Sequence, residues 1–110
     1  MENPNLDAVV REHLDTARRS DSGRAAGTVY GGHEKTLRQT VIAMTAGTEL
    51  SEHENPGEAT LLVLQGAVRL RTDEETQEGR GGDLLAIPAD RHSLEAVEDS
   101  AVLLTVAKLP

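Results

Sequence analysis

The chain contains four histidines, His13, His33, His53 and His92, and no cysteine. A neutral imidazole can bind a transition metal or exchange a proton near neutral pH, so these residues are the first candidates for chemistry. His13 lies on the apolar face of a helical pattern, where a packed or interface histidine is expected. His33 follows two glycines at the end of a strand pattern, where a turn residue is expected. His53 and His92 belong to longer patterns.

Those patterns are two sets of glycine, proline and histidine at fixed spacings. They comprise Gly47, His53, Pro56-Gly57 and Gly66 in the first set, and Gly82, Pro88 and His92 in the second. The spacings resemble the two motifs of the cupin superfamily, over roughly residues 26–108. This resemblance implies an all-β fold, a cupin-type antiparallel β-barrel of jelly-roll form. It also implies that His53 and His92 line one internal pocket.

The resemblance further implies a metal site, from which this chain departs. In the family, three histidines and one glutamate hold Mn, Fe, Ni, Cu or Zn. Here Asn55 replaces the second histidine and Ala59 replaces the glutamate. His53 and His92 remain as metal ligands, with Asn55 and Glu58 as weak additional candidates. We therefore expect an incomplete site, in which a divalent metal is weakly held or absent.

Three functions are compatible with this pattern. The first is a domain that binds a small molecule at His53, Asn55 and His92 without turnover, which the loss of metal ligands favours. The second is a metal-dependent enzyme of dioxygenase or isomerase type, acting on a small organic substrate. The third is a scaffold whose role is association. Alternatively, the two imidazoles only hydrogen-bond their neighbours and have a structural role.

Residues 37–46 add one further candidate to the pocket. Side chains alternate between the two faces of a strand, so Arg38 and Gln39 must lie on opposite faces. An inward Arg38 would favour an anionic ligand, and an inward Gln39 a neutral polar one. The rest of the segment does not decide between them.

Composition restricts the partners and the core. The net charge of -8 argues against a nucleic-acid partner, and the acidic clusters are typical of solvated surfaces. No apolar run is long enough to span a membrane, and no signal peptide is visible, so we expect a cytoplasmic protein. With no Phe or Trp and a single Tyr, the core must be aliphatic and of modest stability. This favours oligomerisation, and the resemblance implies a homodimer.

The elements that position these residues follow from periodicity. Apolar residues at helical spacing from Leu6 to Ala17, with Asn3 as N-cap and Pro4 at the first position, predict an amphipathic helix that covers the barrel or contributes to a dimer contact. We assign residues 1–23 to this helix and its linker, and residues 24–110 to the barrel. Frequent turn signals separate predicted strands at 27–33, 37–46, 49–53, 60–65, 67–72, 74–78, 83–87, 92–96 and 101–108. Residues 61–64 are apolar on both faces, which predicts a strand covered on both sides.

Overall fold

The computed structural model describes residues 3–53 and 57–108, without the side chains of residues 52 and 53. Within these residues, one helix precedes nine strands, so the predicted all-β fold with an N-terminal helix is confirmed. The elements are α1 (Leu6–Arg19), β1 (Arg24–Tyr30), β2 (Leu37–Met44), β3 (Glu49–His53), β4 (Gly57–Gln65), β5 (Ala67–Arg71), β6 (Thr76–Arg80), β7 (Leu84–Ala86), β8 (His92–Ala96) and β9 (Ser100–Lys108).

The strands form two antiparallel sheets, with orders β1-β2-β9-β4-β7 and β3-β8-β5-β6. One buried apolar cluster draws on strands of both sheets, which we call the inner cluster. It consists of Met44, Leu61, Val63, Val68, Leu70, Leu85, Leu94, Ala96 and Val102. Because none of these residues is aromatic, the expectation of an aliphatic core is confirmed for the described part of the chain.

Helix α1 covers part of the opposite face of the five-stranded sheet. Its buried residues Val10, Leu14 and Ala17 pack against residues of β2 and β9 in a second cluster, which we call the outer cluster. Strand β4 contributes to both clusters: Leu61 and Val63 belong to the inner one, while Leu62 and Leu64 pack against the outer one. The predicted two-sided strand and the covering helix are therefore confirmed. No helix in the described residues has the length and apolar character needed to cross a membrane.

Several element boundaries differ from the prediction by one to three residues, and three of these differences have a local cause. The helix begins at Leu6 rather than Pro4, because the side chain of Asn5, not Asn3, caps it by accepting from the Ala8 N–H at 3.0 Å. Strand β1 ends at Tyr30, before Gly31, whose φ of 100° is not that of a strand. Strand β6 begins at residue 76, two residues late, because the preceding residues form the turn between β5 and β6.

The outward face of the four-stranded sheet carries ion pairs. The Arg69 guanidinium lies 2.7 Å from the Glu78 carboxylate, and that of Arg71 lies 2.8 Å from Glu95. Hydrogen bonding and attraction by Arg69 hold the pKa of Glu78 below its usual range. These cross-strand pairs agree with the expectation that acidic residues of this region lie on solvated strand faces.

Asp99 joins the end of α1 to the barrel. Its carboxylate accepts a hydrogen bond from the Ala46 N–H at 2.9 Å and one from the Arg18 Nε at 3.0 Å. Both contacts hold the pKa of Asp99 below its usual value, and the hydrogen bond from the Ala46 N–H has the larger effect. Because the pKa of Asp99 is lower in the folded than in the unfolded protein, its ionised carboxylate stabilises the fold at pH values above the unfolded-state pKa. This stabilisation is lost as the pH falls through the folded-state pKa.

We therefore expect Asp99→Asn to lower the free energy of unfolding at pH 7 by about 1 kcal/mol. Urea denaturation should show the difference from wild type shrinking as the pH falls below 4. Asp15→Asn is the matched control, because Asp15 forms only an exposed pair with Arg19. It should cost no more than about 0.5 kcal/mol. Equal losses for the two variants would contradict this role of Asp99.

Candidate functional site

His92 is the first residue of β8, and its side chain is 3% exposed. Its Nδ1 lies 2.9 Å from the carbonyl oxygen of Asp90. A carbonyl can only accept a hydrogen bond, so Nδ1 must carry a proton and donate it. This contact fixes the orientation of the imidazole and, in the neutral ring, leaves the lone pair on Nε2. The turn before β8 therefore positions His92 at the barrel wall.

The ring borders a small internal cavity. The described residues that line it are His92 and seven aliphatic residues, Ile42, Leu50, Leu61, Leu70, Ile87, Leu94 and Leu104. Its volume of about 20 Å³ is close to the space that a single water molecule needs. Among its described lining residues, His92 alone has a polar side chain. The cavity is therefore a small apolar space with one polar group in its wall.

Residue 53 lies beside His92 in the backbone. Strand β3 pairs with β8, and the register places His53 opposite His92 after a shift that follows Leu50. The sheet therefore brings together the two positions that the sequence singled out. The side chain of His53 and the whole of Asn55, a further predicted site residue, lie outside the described part of the structure.

Glu58 and Ala59 are the described residues at or next to the position of the carboxylate ligand in a cupin metal site. Glu58 is exposed and borders an open groove of about 400 Å³, together with Thr60, Thr105 and Ala107. It has the strand parity of Leu62, which faces away from the inner cluster. Ala59 has no donor atom. The described residues include no group of three His, Asp or Glu side chains able to hold a metal ion. The described donors do not by themselves form a 3-His-1-carboxylate cage.

Arg38 and Gln39 occupy opposite faces of β2. Gln39 shares the face of Val41, beneath the helix side of the sheet, and its Nε2 donates to the Thr105 Oγ1 at 3.1 Å. Arg38 has the parity of Ile42, which packs against the inner cluster. Arg38 is partly exposed, and it is not among the described residues that line the 20 Å³ cavity. Of the two, Arg38 is therefore the residue on the barrel side.

The remaining two histidines lie elsewhere. The Nδ1 of His13 donates to the Val9 carbonyl at 2.8 Å within α1, and the ring packs over Gly27 of β1. This is the packed helix histidine that the sequence predicts. His33 is exposed in the connection between β1 and β2, outside any strand. Neither residue borders the cavity beside His92.

Two features of the site are absent from the motif-based prediction. One is the carbonyl of Asp90, which orients His92 but is a backbone group and leaves no mark in side-chain spacing. The other is the aliphatic lining of the cavity. The alternation of apolar and polar residues along β8 is the signal for it, since Leu94 and Ala96 fall on the inner face.

The profile of the cupin domain family matches residues 40–107. This range includes strands β3 and β8, which carry both paired histidine positions. No functionally curated protein matches the chain in sequence.

Solved structures resemble the fold. A conserved protein of unknown function from Streptococcus pyogenes is 29% identical with a TM-score of 0.73, over 83% of this chain and 79% of that one. KdgF from Halomonas sp. is 22% identical with a TM-score of 0.64, over 78% and 80%. Salicylate 1,2-dioxygenase from Pseudoaminobacter salicylatoxidans is 22% identical with a TM-score of 0.74, over 93% of this chain but 31% of its own. The latter two share the fold with this chain.

Proposed function

Because the chain belongs to the cupin domain family, we propose that it binds a small molecule inside the barrel, against His92, without a tightly held metal. The single observation that carries this proposal is the setting of His92. A buried imidazole, oriented by the Asp90 carbonyl, borders a cavity otherwise lined by aliphatic side chains among the described residues. Ligand sites commonly combine an apolar lining with a few well-placed polar groups.

The lining indicates the class of ligand. A small, mainly apolar molecule with one polar group would match seven aliphatic side chains and one imidazole. The cavity volume of about 20 Å³ is that of about one water, so a ligand has to displace lining side chains on entry. Arg38, on the same face of β2 as Ile42, is a candidate contact for an anionic group near the cavity. His53 and Asn55 remain proposed pocket residues.

A metal-dependent enzyme is the second candidate function. The observation in its favour is the hydrogen bond from Nδ1 of His92 to a backbone carbonyl, since metal-binding histidines commonly donate their other ring nitrogen in this way. The described donor set is against it, as Ala59 and the outward Glu58 supply no inward carboxylate. Elemental analysis of protein purified without chelator separates the two candidates. The binding function predicts metal well below equimolar, and the enzyme predicts an equimolar ion that His92→Ala removes.

The binding function is tested by a thermal-shift screen of small carboxylic acids, phenols and alcohols in the presence of EDTA. A compound at about 100 times its Kd should stabilise the protein by about 2.7 kcal/mol, which raises the melting temperature. We expect His92→Ala to reduce the shift clearly at the same compound concentration. Ser93→Ala is the matched control, because Ser93 is also buried in β8 but has the opposite strand parity. A shift that is as large in His92→Ala as in the wild type and in Ser93→Ala would exclude this site.

We also propose that the protein acts as a homodimer in the cytoplasm, with a small-molecule ligand and neither nucleic acid nor membrane as partner. The thin aliphatic core supports the association, because a small domain without aromatic core residues gains stability by burying further surface. The net charge of -8 supports the exclusion of nucleic acid.

A further inference from the structure

The described residues leave four sheet edges, and β1 differs from the other three. β1 is seven residues long, whereas β3 and β6 have five and β7 has three. β3 and β6 carry charged residues within the strand, but the only charged residue of β1 is Arg24, at its first position. Natural proteins normally protect a sheet edge by shortness or by charge, because an open edge can pair with another chain. β1 has neither protection along its middle.

The register shows which backbone groups of β1 face outward. The Thr45 N–H donates to the Gly23 carbonyl at 2.9 Å, and this pair directly precedes the pairing of Arg24 with Met44. Hydrogen-bonded and non-bonded pairs alternate along an antiparallel ladder. Ala25 and Gly27 therefore bond to β2, whereas the N–H and C=O groups of even-numbered residues 24–28 point away from it.

A second contact agrees with this assignment. The Ser22 Oγ lies 3.3 Å from the Arg24 N and 3.5 Å from its carbonyl oxygen, which places both groups on the outer edge. The side chain of Ser22 thus occupies one end of the edge. At the other end, the ladder has an irregularity between Thr28 and Tyr30. The outward groups of Ala26 and Thr28 lie between these ends, and both side chains are small and exposed.

This spacing is self-complementary, and we propose that β1 pairs antiparallel with β1 of a second copy, about a two-fold axis at Gly27. Ala26 then lies opposite Thr28 of the partner subunit. Each of these two pairs exchanges two hydrogen bonds, which uses all the outward groups between the ends. The inference rests on the proposed homodimer and specifies its interface.

Charge also favours a second copy at this edge. Each chain carries a net charge of -8, so two copies repel at most surfaces, but β1 has no acidic residue. The same two-fold axis brings Arg24 close to Tyr30 of the partner subunit. Tyr30 is the only aromatic residue of the chain and is 48% exposed, so it can accept a cation over its ring.

Sedimentation velocity of the full chain tests the interface with paired charge variants. We expect the wild type to dimerise with rising concentration. We expect the double variant Ala26→Lys/Thr28→Lys to be monomeric, because the axis places like charges opposite each other. The double variant Ala26→Glu/Thr28→Glu should be monomeric for the same reason. An equimolar mixture of the two should dimerise again. Thr76→Lys, on the edge strand β6, is the control and should dimerise like the wild type.

Ala26→Pro gives an independent variant without added charge. The N–H that this substitution removes points away from β2, so the ladder between β1 and β2 is kept. Because the removed N–H would bond to the second copy, we expect the dimer dissociation constant to rise tenfold or more. A monomeric wild type would overturn both the homodimer and this interface. A dimer that persists in the double variants, or is unchanged by Ala26→Pro, would overturn the interface alone. So would a mixture of the charged variants that stays monomeric while Thr76→Lys dimerises.

Discussion

Gly66→Ala is expected to destabilise the protein by about 2–5 kcal/mol. Gly66 ends the first cupin motif and joins β4 to β5 with a φ of 88°, a conformation that costs a residue with a Cβ about 1–2 kcal/mol. A Cβ at this position would also collide with the Asp99 carbonyl oxygen and the Ser100 Oγ, and would lie 2.9 Å from the Ser100 Cα. Backbone atoms cannot move aside cheaply, so the steric cost adds to the conformational one.

Gly47→Ala provides the control for this variant. Gly47 begins the same motif and has a φ of 86°, but a Cβ there would meet no atom within 4 Å. The free energy of unfolding of Gly47→Ala should therefore fall only by the conformational cost of about 1–2 kcal/mol. Urea denaturation of the two variants measures the difference directly. Equal losses would show that the contact of Gly66 with residues 99 and 100 does not constrain the turn.

Leu61→Ala is expected to cost about 2–5 kcal/mol, because Leu61 is 2% exposed and belongs to the inner cluster. Small domains have a total stability of about 5–15 kcal/mol, so this variant should be largely unfolded at moderate denaturant concentration. Leu84→Ala is the matched control. Leu84 is in the neighbouring strand β7 but is 65% exposed, and its loss should stay within about 0.5 kcal/mol.

Chemical denaturation followed by circular dichroism checks this pair of leucine variants. A loss for Leu61→Ala as small as that for Leu84→Ala would contradict the assignment of Leu61 to the core. The comparison also bears on the site, since Leu61 lines the cavity beside His92. A ligand that fills the space left by the leucine should restore part of the lost stability.

Most of the fold follows from patterns that are local in sequence. Strand alternation and turn residues predicted every strand of the two sheets, because a half-buried strand must repeat every two residues. The boundaries were less accurate where a cap or a turn decides them. Pro4 made Asn3 the predicted N-cap, and the contact from the Ala8 N–H shows that Asn5 is the N-cap instead. The shift of β6 has the same origin, in the turn at Thr72 to Glu75.

The face of β2 that is directed to the barrel side could not be predicted from the sequence, for a different reason. Ile42 and Met44 pack inward, while Val41 and Ala43 are covered by α1, so both faces of the strand are apolar. Alternation therefore gives no sign of which of Arg38 and Gln39 lies on the barrel side. The missing information is the position of the helix, which is a tertiary contact between distant segments.

The proximity of residues 53 and 92 was predictable from the sequence, whereas the surroundings of His92 were not. The spacing of the motif located His92, and the register places residue 53 opposite it. The motif spacing does not show that a backbone carbonyl orients the His92 ring, nor that the cavity beside the ring is lined by aliphatic side chains. These features depend on which side chains meet between the sheets. They support the binding hypothesis that the sequence already favoured over a metal enzyme, and they favour an apolar ligand for it.

The most direct test of metal-free binding at His92 is the Kd of the best compound from the thermal-shift screen, measured by calorimetry in EDTA for wild type and His92→Ala. We expect binding to the wild type in EDTA, weakened about tenfold or more in the variant, because about 1.4 kcal/mol is lost with the imidazole contact. An unchanged Kd in His92→Ala would contradict the site. Binding that disappears in EDTA and returns with an added divalent metal would contradict the proposed metal-free function.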